Sequence, residues 1–281
     1  MVTFAGIDFK NPVTLASGTC GFGRELAEYF DLSELGGICS KGLTLYERVG
    51  NPAPRVAETP SGMLNAVGLQ NPGIDAFIRT ELPFMRTLGT MIIANFSASS
   101  ADEFALCAAK LSDAGVDMLE VNVSCPNVKA EGLAFGVSPD AVSAVTEAVK
   151  SSAGHTPVMV KLSPNVTDIT VIAKAAEQAG ADALSMINTL LGIRFDLRSG
   201  KPILANGTGG LSGAAILPVA LGMVYRTANA VKIPILGLGG ISSRDDAREM
   251  LIAGATLIGI GTATFRDPAI ALKIARELED A

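Results

Sequence analysis

The sequence predicts an α/β fold, a (β/α)8 or TIM barrel with insertions at the C-terminal face of the strands. Three observations predict it: eight short apolar runs recur along the chain, helical segments lie between them, and glycines mark the turns. Eight such units favour a closed barrel over an open, doubly wound sheet. The predicted strands span 13–17, 37–41, 91–96, 118–123, 158–162, 183–187, 235–238 and 257–260.

Several predicted helices carry recognisable start and stop signals. Residues 101–114 are followed by a glycine, and residues 168–180 end at one, as helices commonly do. Ser138 precedes a proline and is a candidate N-cap, and Ser242 or Ser243 is a candidate for another helix. The alternation of strand and helix therefore has local support along much of the chain.

Two segments are too long and too rich in turns for plain connections between a strand and a helix. They are residues 43–89 and residues 194–211, the second lying between the sixth and seventh predicted strands. Long ordered insertions at one face of a barrel are more often functional than idle. Because no repeat, linker or shift in composition divides the chain, we expect a single domain spanning 1–281.

The composition limits the possible classes of protein. Nearly half of the 281 residues, 48%, are hydrophobic, which is typical of a globular protein with a large core. The apolar run 214–224 is interrupted by Pro218 and Gly222 and falls short of a membrane span. The first residues have neither a basic nor an apolar region of a signal peptide, so we expect a cytoplasmic protein.

The net charge and the small number of possible metal-ligating residues argue against nucleic-acid-binding and metal-binding proteins. The net charge of −6 argues against a general nucleic-acid surface. The only histidine, His155, lies in a turn of glycine, serine and proline, so an ordinary loop residue is the simpler interpretation. We expect no metal or iron–sulfur site, because the cysteines form no CxxC pair or cluster; they are Cys20, Cys39, Cys107 and Cys125.

The stretch EVNVSCPN, residues 120–127, is the strongest candidate for chemistry. Its apolar strand stops before Pro126, so Asn122, Ser124 and Cys125 should lie at or just past the strand's C-terminal end. Ligands bind at that end in parallel α/β proteins. Cys125 is therefore a candidate nucleophile or general base, although a small buried packing residue is the alternative.

Lysines and amides occupy the ends of other predicted strands. Lys41 and Lys161 interrupt apolar runs, where each must reach solvent or face an anion. Asn95, Asn122 and Asn188 end three further runs, and each amide needs partners once it is buried. Such a mouth suits a planar anionic ligand rich in hydrogen-bonding groups, and its lysines would stabilise a thiolate.

Glycine turns follow the seventh and eighth predicted strands, where barrel proteins commonly bind phosphate. They are residues 237–242 and 259–263, joined by the glycines of 209–213. Glycine lets backbone N–H groups approach phosphate oxygens, although tight turns need glycine in any case. The spacing matches neither GxGxxG nor the P-loop. A phosphate-binding lyase or isomerase with a structural Cys125, and a non-catalytic binding barrel, both stay open on these grounds.

Motifs along the whole chain resemble those of the dihydroorotate dehydrogenase family. They are ASGTCGFG (16–23), SKGLT (40–44), NPAPRVAETPSGMLNAVGLQNPG (51–73), NVSCPNVK (122–129), VKLSPNVTD (160–168), INT (187–189), TGGLSG (208–213), GGIS (239–242) and GIGTA (259–263). The resemblance implies an FMN-dependent barrel that oxidises dihydroorotate to orotate in de novo pyrimidine (UMP) biosynthesis. One departure is Ala98, which stands where the family pattern has glycine.

The resemblance also implies roles for individual residues. Cys125 matches the catalytic base, which takes the C5 proton while hydride leaves C6 for the flavin, and Lys161 matches a residue that stabilises negative charge on the reduced flavin. The loop 128–138 resembles a lid over the base. Substrate positions are Lys41, Asn65, Ala66, Val67, Gly68, Leu69, Asn122, Asn188 and Thr189. FMN positions are Ser17, Lys41, Gly42, Asn95, Asn122, Lys161, Ile187, Gly213, Gly239, Gly240, Gly261 and Thr262.

The motifs also indicate a subclass within this family. Residues 51–65 and 208–213 are most similar to the NAD-linked, type 1B catalytic subunit. That resemblance implies a partner subunit with FAD and an iron–sulfur cluster, in a heterotetramer built on a catalytic homodimer. The fumarate-linked type 1A enzyme is the alternative. Quinone-linked members are less similar, because they have a serine base and an N-terminal extension.

Overall fold

The computed structural model of the protein describes residues 1–123 and 135–279. Its strands, in chain order, are β1 (Val2–Phe4), β2 (Ile7–Phe9), β3 (Val13–Leu15), β4 (Gly37–Cys39), β5 (Val56–Thr59), β6 (Gly62–Asn65), β7 (Met91–Phe96), β8 (Met118–Asn122), β9 (Val158–Lys161), β10 (Ala183–Met186), β11 (Leu190–Ile193), β12 (Thr208–Ser212), β13 (Ile235–Leu238) and β14 (Leu257–Ile260). Its α-helices are α1 (Ile74–Ala76), α2 (Leu82–Arg86), α3 (Ala101–Asp113), α4 (Pro139–Ser152), α5 (Ile169–Gln178), α6 (Leu217–Ala228), α7 (Arg244–Ile252) and α8 (Ile270–Glu279).

Eight parallel strands close into a barrel, which confirms the predicted fold class. Their order around the barrel is β10, β13, β14, β3, β4, β7, β8 and β9, and neighbouring strands are hydrogen-bonded. Each barrel strand matches a predicted apolar run, although several end one or two residues early. Lys41, for example, was expected to close the second strand but lies two residues beyond β4. In the described part of the chain, no helix is both long and apolar enough to cross a membrane.

Side-chain caps start four of the surrounding helices, as their sequences indicate. The side chains of Ser100, Ser138, Asp168 and Ser243 each accept a hydrogen bond from a backbone N–H in the first turn. Ser243, rather than Ser242, is therefore the cap of α7. These helices pack on the barrel through buried faces, so the core fills the space between the strands and the helical layer.

The two predicted insertions meet in one antiparallel sheet, in the order β11, β12, β6 and β5. The second insertion begins earlier than expected, because β11 starts at Leu190 and pairs with β12. Asn65 of β6 pairs with Gly210 of β12, which joins segments about 145 residues apart. The sheet starts shortly after β10 ends, and the predicted substrate segment, residues 65–69, begins at the last residue of β6.

A hairpin of β1 and β2 closes the opposite end of the barrel. The predicted strands begin at residue 13 and do not include this hairpin. Ala5 and Gly6 both have positive φ, 50° and 81°, as a tight two-residue hairpin turn requires. Phe4 and Phe9 are fully buried, with ring centroids 6.0 Å apart. They pack against Met118, Ala183 and Leu257, the first residues of three barrel strands.

Candidate active site

Polar side chains converge where the barrel strands end. Asn122 and Lys161 are the last residues of β8 and β9 and are paired in register. Asn188, just beyond β10, donates a hydrogen bond from Nδ2 to Oδ1 of Asn122 over 3.4 Å. Asn95, near the end of β7, is paired in register with Glu120 of β8. Parallel strands therefore bring the predicted amides and one predicted lysine to one end of the barrel.

Both predicted lysines act on a common neighbour. The thiol of Cys20 is buried, and burial raises its pKa to about 12, although its backbone hydrogen bond and the charges of Lys41 and Lys161 oppose that rise. The backbone N–H of Lys41 donates to Gly21 O over 2.8 Å. Both lysines are thus close enough to Cys20 for their charges to act on its thiol.

Glu120 is the centre of this region, and the sequence reasoning overlooked it. Its Oε2 lies 3.5 Å from Lys161 Nζ and accepts a hydrogen bond from the thiol of Cys39 over 2.9 Å. Asn95 Nδ2 donates to the same oxygen. The interpretation of this mouth as cations and neutral groups only was therefore incomplete. A glutamate inside an apolar strand could have been recognised in the same way as the lysines, because a charged side chain buried in a strand needs partners of opposite charge or hydrogen-bonding groups.

The partners of Glu120 favour its charged form. Burial alone raises the pKa of its carboxyl, but Lys161 and the hydrogen bonds from Cys39 and Asn95 outweigh burial and hold that pKa below its usual value. Ser185 also lowers it, although Ser185 Oγ makes no hydrogen bond of ordinary geometry among the described residues. Burial, followed by the charge of Glu120, raises the pKa of Cys39 well above its usual value. Cys39 is therefore a neutral donor.

The segment predicted to hold substrate has a defined backbone. Gly68 and Leu69 both have positive φ, 78° and 54°, which is uncommon for leucine. Asn71 supports this turn: its Nδ2 donates to Leu69 O over 2.7 Å, and its Oδ1 accepts from the N–H groups of Thr44 and Gly73. Asn71 is a further residue that the sequence reasoning missed, although asparagine before proline is a common turn signal.

Thr189 joins this segment to the rest of the mouth. A side chain at Gly210 would overlap Thr189 Oγ1, so these two residues are in direct contact. Gly210 is also paired with Asn65. The structure thereby brings the start of the segment, Asn65, close to Thr189. Whether these residues bind substrate stays a prediction.

The predicted phosphate-binding turns also converge. Gly239 and Gly240 follow β13 with φ of 130° and 85°, and a Cβ at Gly240 would lie 2.7 Å from the N atom of Leu217, the first residue of α6. Thr262, after β14, donates a hydrogen bond from Oγ1 to Ser212 Oγ over 2.8 Å. A Cβ at Gly213 would lie 3.5 Å from Thr262. Glycine backbones of three turns therefore surround the start of one helix, an arrangement suited to phosphate.

Two features between these regions fit a planar ligand with hydrogen-bonding edges. Asn95 Oδ1 is buried and has no hydrogen-bond partner among the described residues, although buried amides are normally paired. A Cβ at Gly42 would lie 2.8 Å from this oxygen, so only glycine leaves the adjacent space open. These groups fit a ligand that has an N–H donor for Asn95 Oδ1 and a phosphate for the backbone N–H groups of the glycine turns.

Cys125 and Ser124 lie outside the described residues, as does most of the predicted lid. The other predicted cofactor residues are near the mouth: Ile187 N–H donates to Leu238 O over 2.9 Å, and Ala16 N–H, next to Ser17, donates to Ile260 O over 2.9 Å. Gly261 follows β14 directly. Their roles stay predictions.

Comparison with known proteins identifies the family. The family model described as dihydroorotate dehydrogenase matches residues 1–281. The chain belongs to the dihydroorotate dehydrogenase family. Resemblance of the sequence motifs to this family is thereby confirmed over the whole chain. At Ala98, where the chain departs from the family pattern, the backbone does not adopt the positive φ that would require glycine.

Individual members of the dihydroorotate dehydrogenase family are similar to nearly the whole chain. A protein of Maridesulfovibrio salexigens is 56% identical over 278 residues, which cover 99% of this chain and 91% of that protein. A protein of Geobacter sp. (strain M21) is 53% identical, with 99% and 91% covered, and one of Anoxybacillus flavithermus is 54% identical, with 99% and 89% covered. All three are named dihydroorotate dehydrogenase B (NAD(+)), catalytic subunit.

Proposed function

We propose that this protein is the catalytic subunit of an NAD-linked dihydroorotate dehydrogenase, which oxidises dihydroorotate to orotate in pyrimidine biosynthesis. One observation carries the proposal: relatives named for this activity are 52–56% identical over nearly the full chain. The polar groups at the barrel mouth support it, because dihydroorotate is an anion with several hydrogen-bonding groups and its product, orotate, is planar. The lyase and the non-catalytic barrel have no comparable support.

The proposed cofactor is FMN, which when bound supplies a hydride acceptor. The turns of Gly213, Gly239, Gly240 and Gly261, with Thr262, would bind its phosphate through backbone N–H groups. Asn95 would use its buried, unpaired Oδ1 toward a ring N–H donor. Ser17, Gly42, Asn122 and Ile187 would line the ring. Lys161 would oppose the negative charge that accompanies reduction.

The substrate would be held beside the ring by charge and by amides. Lys41 would bind the carboxylate, and Asn122, Asn188 and Thr189 would bind the pyrimidine edge. The backbone from Asn65 through Ala66, Val67, Gly68 and Leu69 would cover it, kept in place by Asn71. Cys125 would remove the C5 proton, for which a thiol needs stabilisation of its thiolate by nearby cations.

We also propose a partner subunit with FAD and an iron–sulfur cluster, in a heterotetramer built on a homodimer of this chain. The word "subunit" in the relatives' names supports a larger assembly. A cytoplasmic location is proposed as well, supported by the free, buried thiols of Cys20, Cys39 and Cys107. Copurification from the native source would identify the subunit, and cell fractionation would give the location.

The activity is tested by anaerobic titration of the purified chain, loaded with FMN, with dihydroorotate. We expect the flavin absorbance to bleach and orotate to form in equal amount. Orotate added alone, which cannot donate hydride, is the control and should leave the flavin oxidised. A chain that does not take up FMN, or that keeps its flavin oxidised with dihydroorotate, would contradict the proposed function.

The electron acceptor separates the NAD-linked enzyme from the fumarate-linked alternative. We expect the isolated, reduced chain to be reoxidised slowly by fumarate and by NAD⁺. Addition of the FAD and iron–sulfur subunit should restore turnover with NAD⁺. Rapid turnover of the isolated chain with fumarate would instead indicate the type 1A enzyme.

Replacing Gly42 by alanine is expected to weaken FMN binding by about tenfold or more, because displacing one buried hydrogen-bonding group costs about 1–3 kcal/mol. The new Cβ would lie 2.8 Å from Asn95 Oδ1 and 3.3 Å from the side chain of Leu69. Fluorescence titration of the apoprotein with FMN measures the affinity. Gly222→Ala is the matched control, because a Cβ there meets no atom within 4 Å; equal affinities in the two variants would contradict the prediction.

A further inference from the structure

The ion pair between Glu120 and Lys161 is buried in the barrel. Only 2% of the Glu120 side chain and 6% of the Lys161 side chain are exposed. Removing two charges from water is costly, and apolar residues of similar size often stabilise a protein equally well or better. Stability alone is therefore a weak reason for this pair.

The contacts of Glu120 concentrate on one oxygen. Lys161, Cys39 and Asn95 all approach Oε2 of the carboxylate. These side chains and Ser185 come from β4, β7, β9 and β10, which with β8 of Glu120 itself make five adjacent strands of the barrel. The carboxylate is thus fixed from several sides, and its position in turn fixes the ammonium group of Lys161.

Lys161 links this buried cluster to the barrel mouth. It is the last residue of β9, and its partner in register is Asn122, whose amide accepts a hydrogen bond from Asn188. Asn95, which donates to Glu120 through Nδ2, also has the buried, unpaired Oδ1. Glu120 therefore contacts two residues that are proposed to meet the flavin, while lying level with Asn95 and two residues deeper in the barrel than Lys161.

We propose that Glu120 is a positioning residue, which holds Lys161 in place and offsets its charge, and thereby sets the reduction potential of the bound flavin. This inference rests on the proposed function, because it requires FMN beside Lys161. Reduction adds negative charge to the flavin. A free Lys161 ammonium would favour that charge more strongly than one paired with a carboxylate, so Glu120 keeps the potential lower.

The test is the midpoint potential of FMN bound to the full chain carrying Glu120→Gln. Glutamine keeps the size of the side chain and an acceptor for Asn95 and Cys39, but it removes the charge. At a fixed applied potential, we expect the ratio of reduced to oxidised FMN to rise about tenfold or more. This corresponds to a midpoint potential higher by about 30 mV for a two-electron couple. Equilibration with dyes of known potential measures it. An unchanged or lower potential would overturn the proposal.

Two further variants separate positioning from a general effect of charge or packing. Asp182→Asn removes the same charge from the pair of Asp182 with Lys150, next to the start of β10 at the far end of the barrel, and should leave the potential unchanged. Glu120→Asp restores the carboxylate and should return the potential toward the wild-type value. A shift in Asp182→Asn equal to that in Glu120→Gln would overturn the proposal.

The route through Lys161 is tested in a double variant. In a Lys161→Ala background, we expect Glu120→Gln to shift the potential much less than it does in the wild type. If Glu120→Gln alone does not fold, Glu120→Asp serves in its place, because it keeps a buried charge for Lys161 on a shorter side chain and should raise the potential by less. An equal shift in both backgrounds would overturn the positioning role. If instead the wild-type chain fails to bind FMN, the proposed function fails, and that result is distinct from an unmoved potential.

Discussion

Replacing Cys125 by serine is expected to slow the reduction of bound FMN by dihydroorotate by about 10²–10⁴-fold, the usual contribution of a positioned general base. A serine hydroxyl has nearly the size of the thiol, so binding of substrate should change little. It ionises far less readily near neutral pH, because a thiol has a pKa of about 8.5. The loss should therefore be in the rate of proton removal rather than in affinity.

Rapid mixing under anaerobic conditions measures this step directly, because flavin absorbance reports reduction without any later electron acceptor. Raising the pH should partly restore the rate in the serine variant if proton removal limits it. Cys107→Ser is the matched control, since Cys107 is a buried thiol of α3 outside the barrel mouth. Reduction of Cys125→Ser at the wild-type rate would exclude Cys125 as the base.

Much of the barrel mouth follows from local sequence. Asn95, Asn122 and Lys161 lie at or next to the ends of buried, parallel strands, so any closed barrel must gather these residues at one end. The same reasoning extends to the glycine turn after β13, where Gly239 and Gly240 have positive φ and Gly240 closely approaches the start of α6. The fold class alone fixes where the strand ends lie, so the sequence predicts the common position of these residues, while their roles stay predictions.

Other features depend on contacts that no local pattern reveals. The pairing of β6 with β12 joins distant insertions, and neither segment alone indicates the other as its partner. The hairpin of β1 and β2 carries a local signal in its Ala5-Gly6 turn, but its role depends on the open end of the barrel that Phe4 and Phe9 fill. Glu120 was overlooked because its partners come from four other strands, so its role appears only when the barrel closes.

Replacing Lys161 is expected to have two effects that can be measured separately, one on protein stability and one on the bound flavin. Lys161→Ala is expected to destabilise the protein by about 3–5 kcal/mol, because it leaves the carboxylate of Glu120 buried without its cation. The same variant should bind FMN more weakly and disfavour its reduced form, since the charge that opposes the negative flavin is lost. Chemical unfolding of the apoprotein measures the first effect, and a potential titration of the FMN-bound protein measures the second.

Removing both charges tests whether the two effects have different causes. The double variant Lys161→Met, Glu120→Gln keeps the side-chain volume and leaves no buried ion, so most of the lost stability should return. The FMN potential should stay below the wild-type value, because methionine carries no charge. Lys150→Ala is the matched lysine control: its ion pair with Asp182 is about one-third exposed, at 33% and 34%, and its loss should cost about 0–1 kcal/mol. A Lys161→Ala protein as stable as Lys150→Ala, or one with an unchanged flavin potential, would contradict the role of Lys161 at the centre of this site.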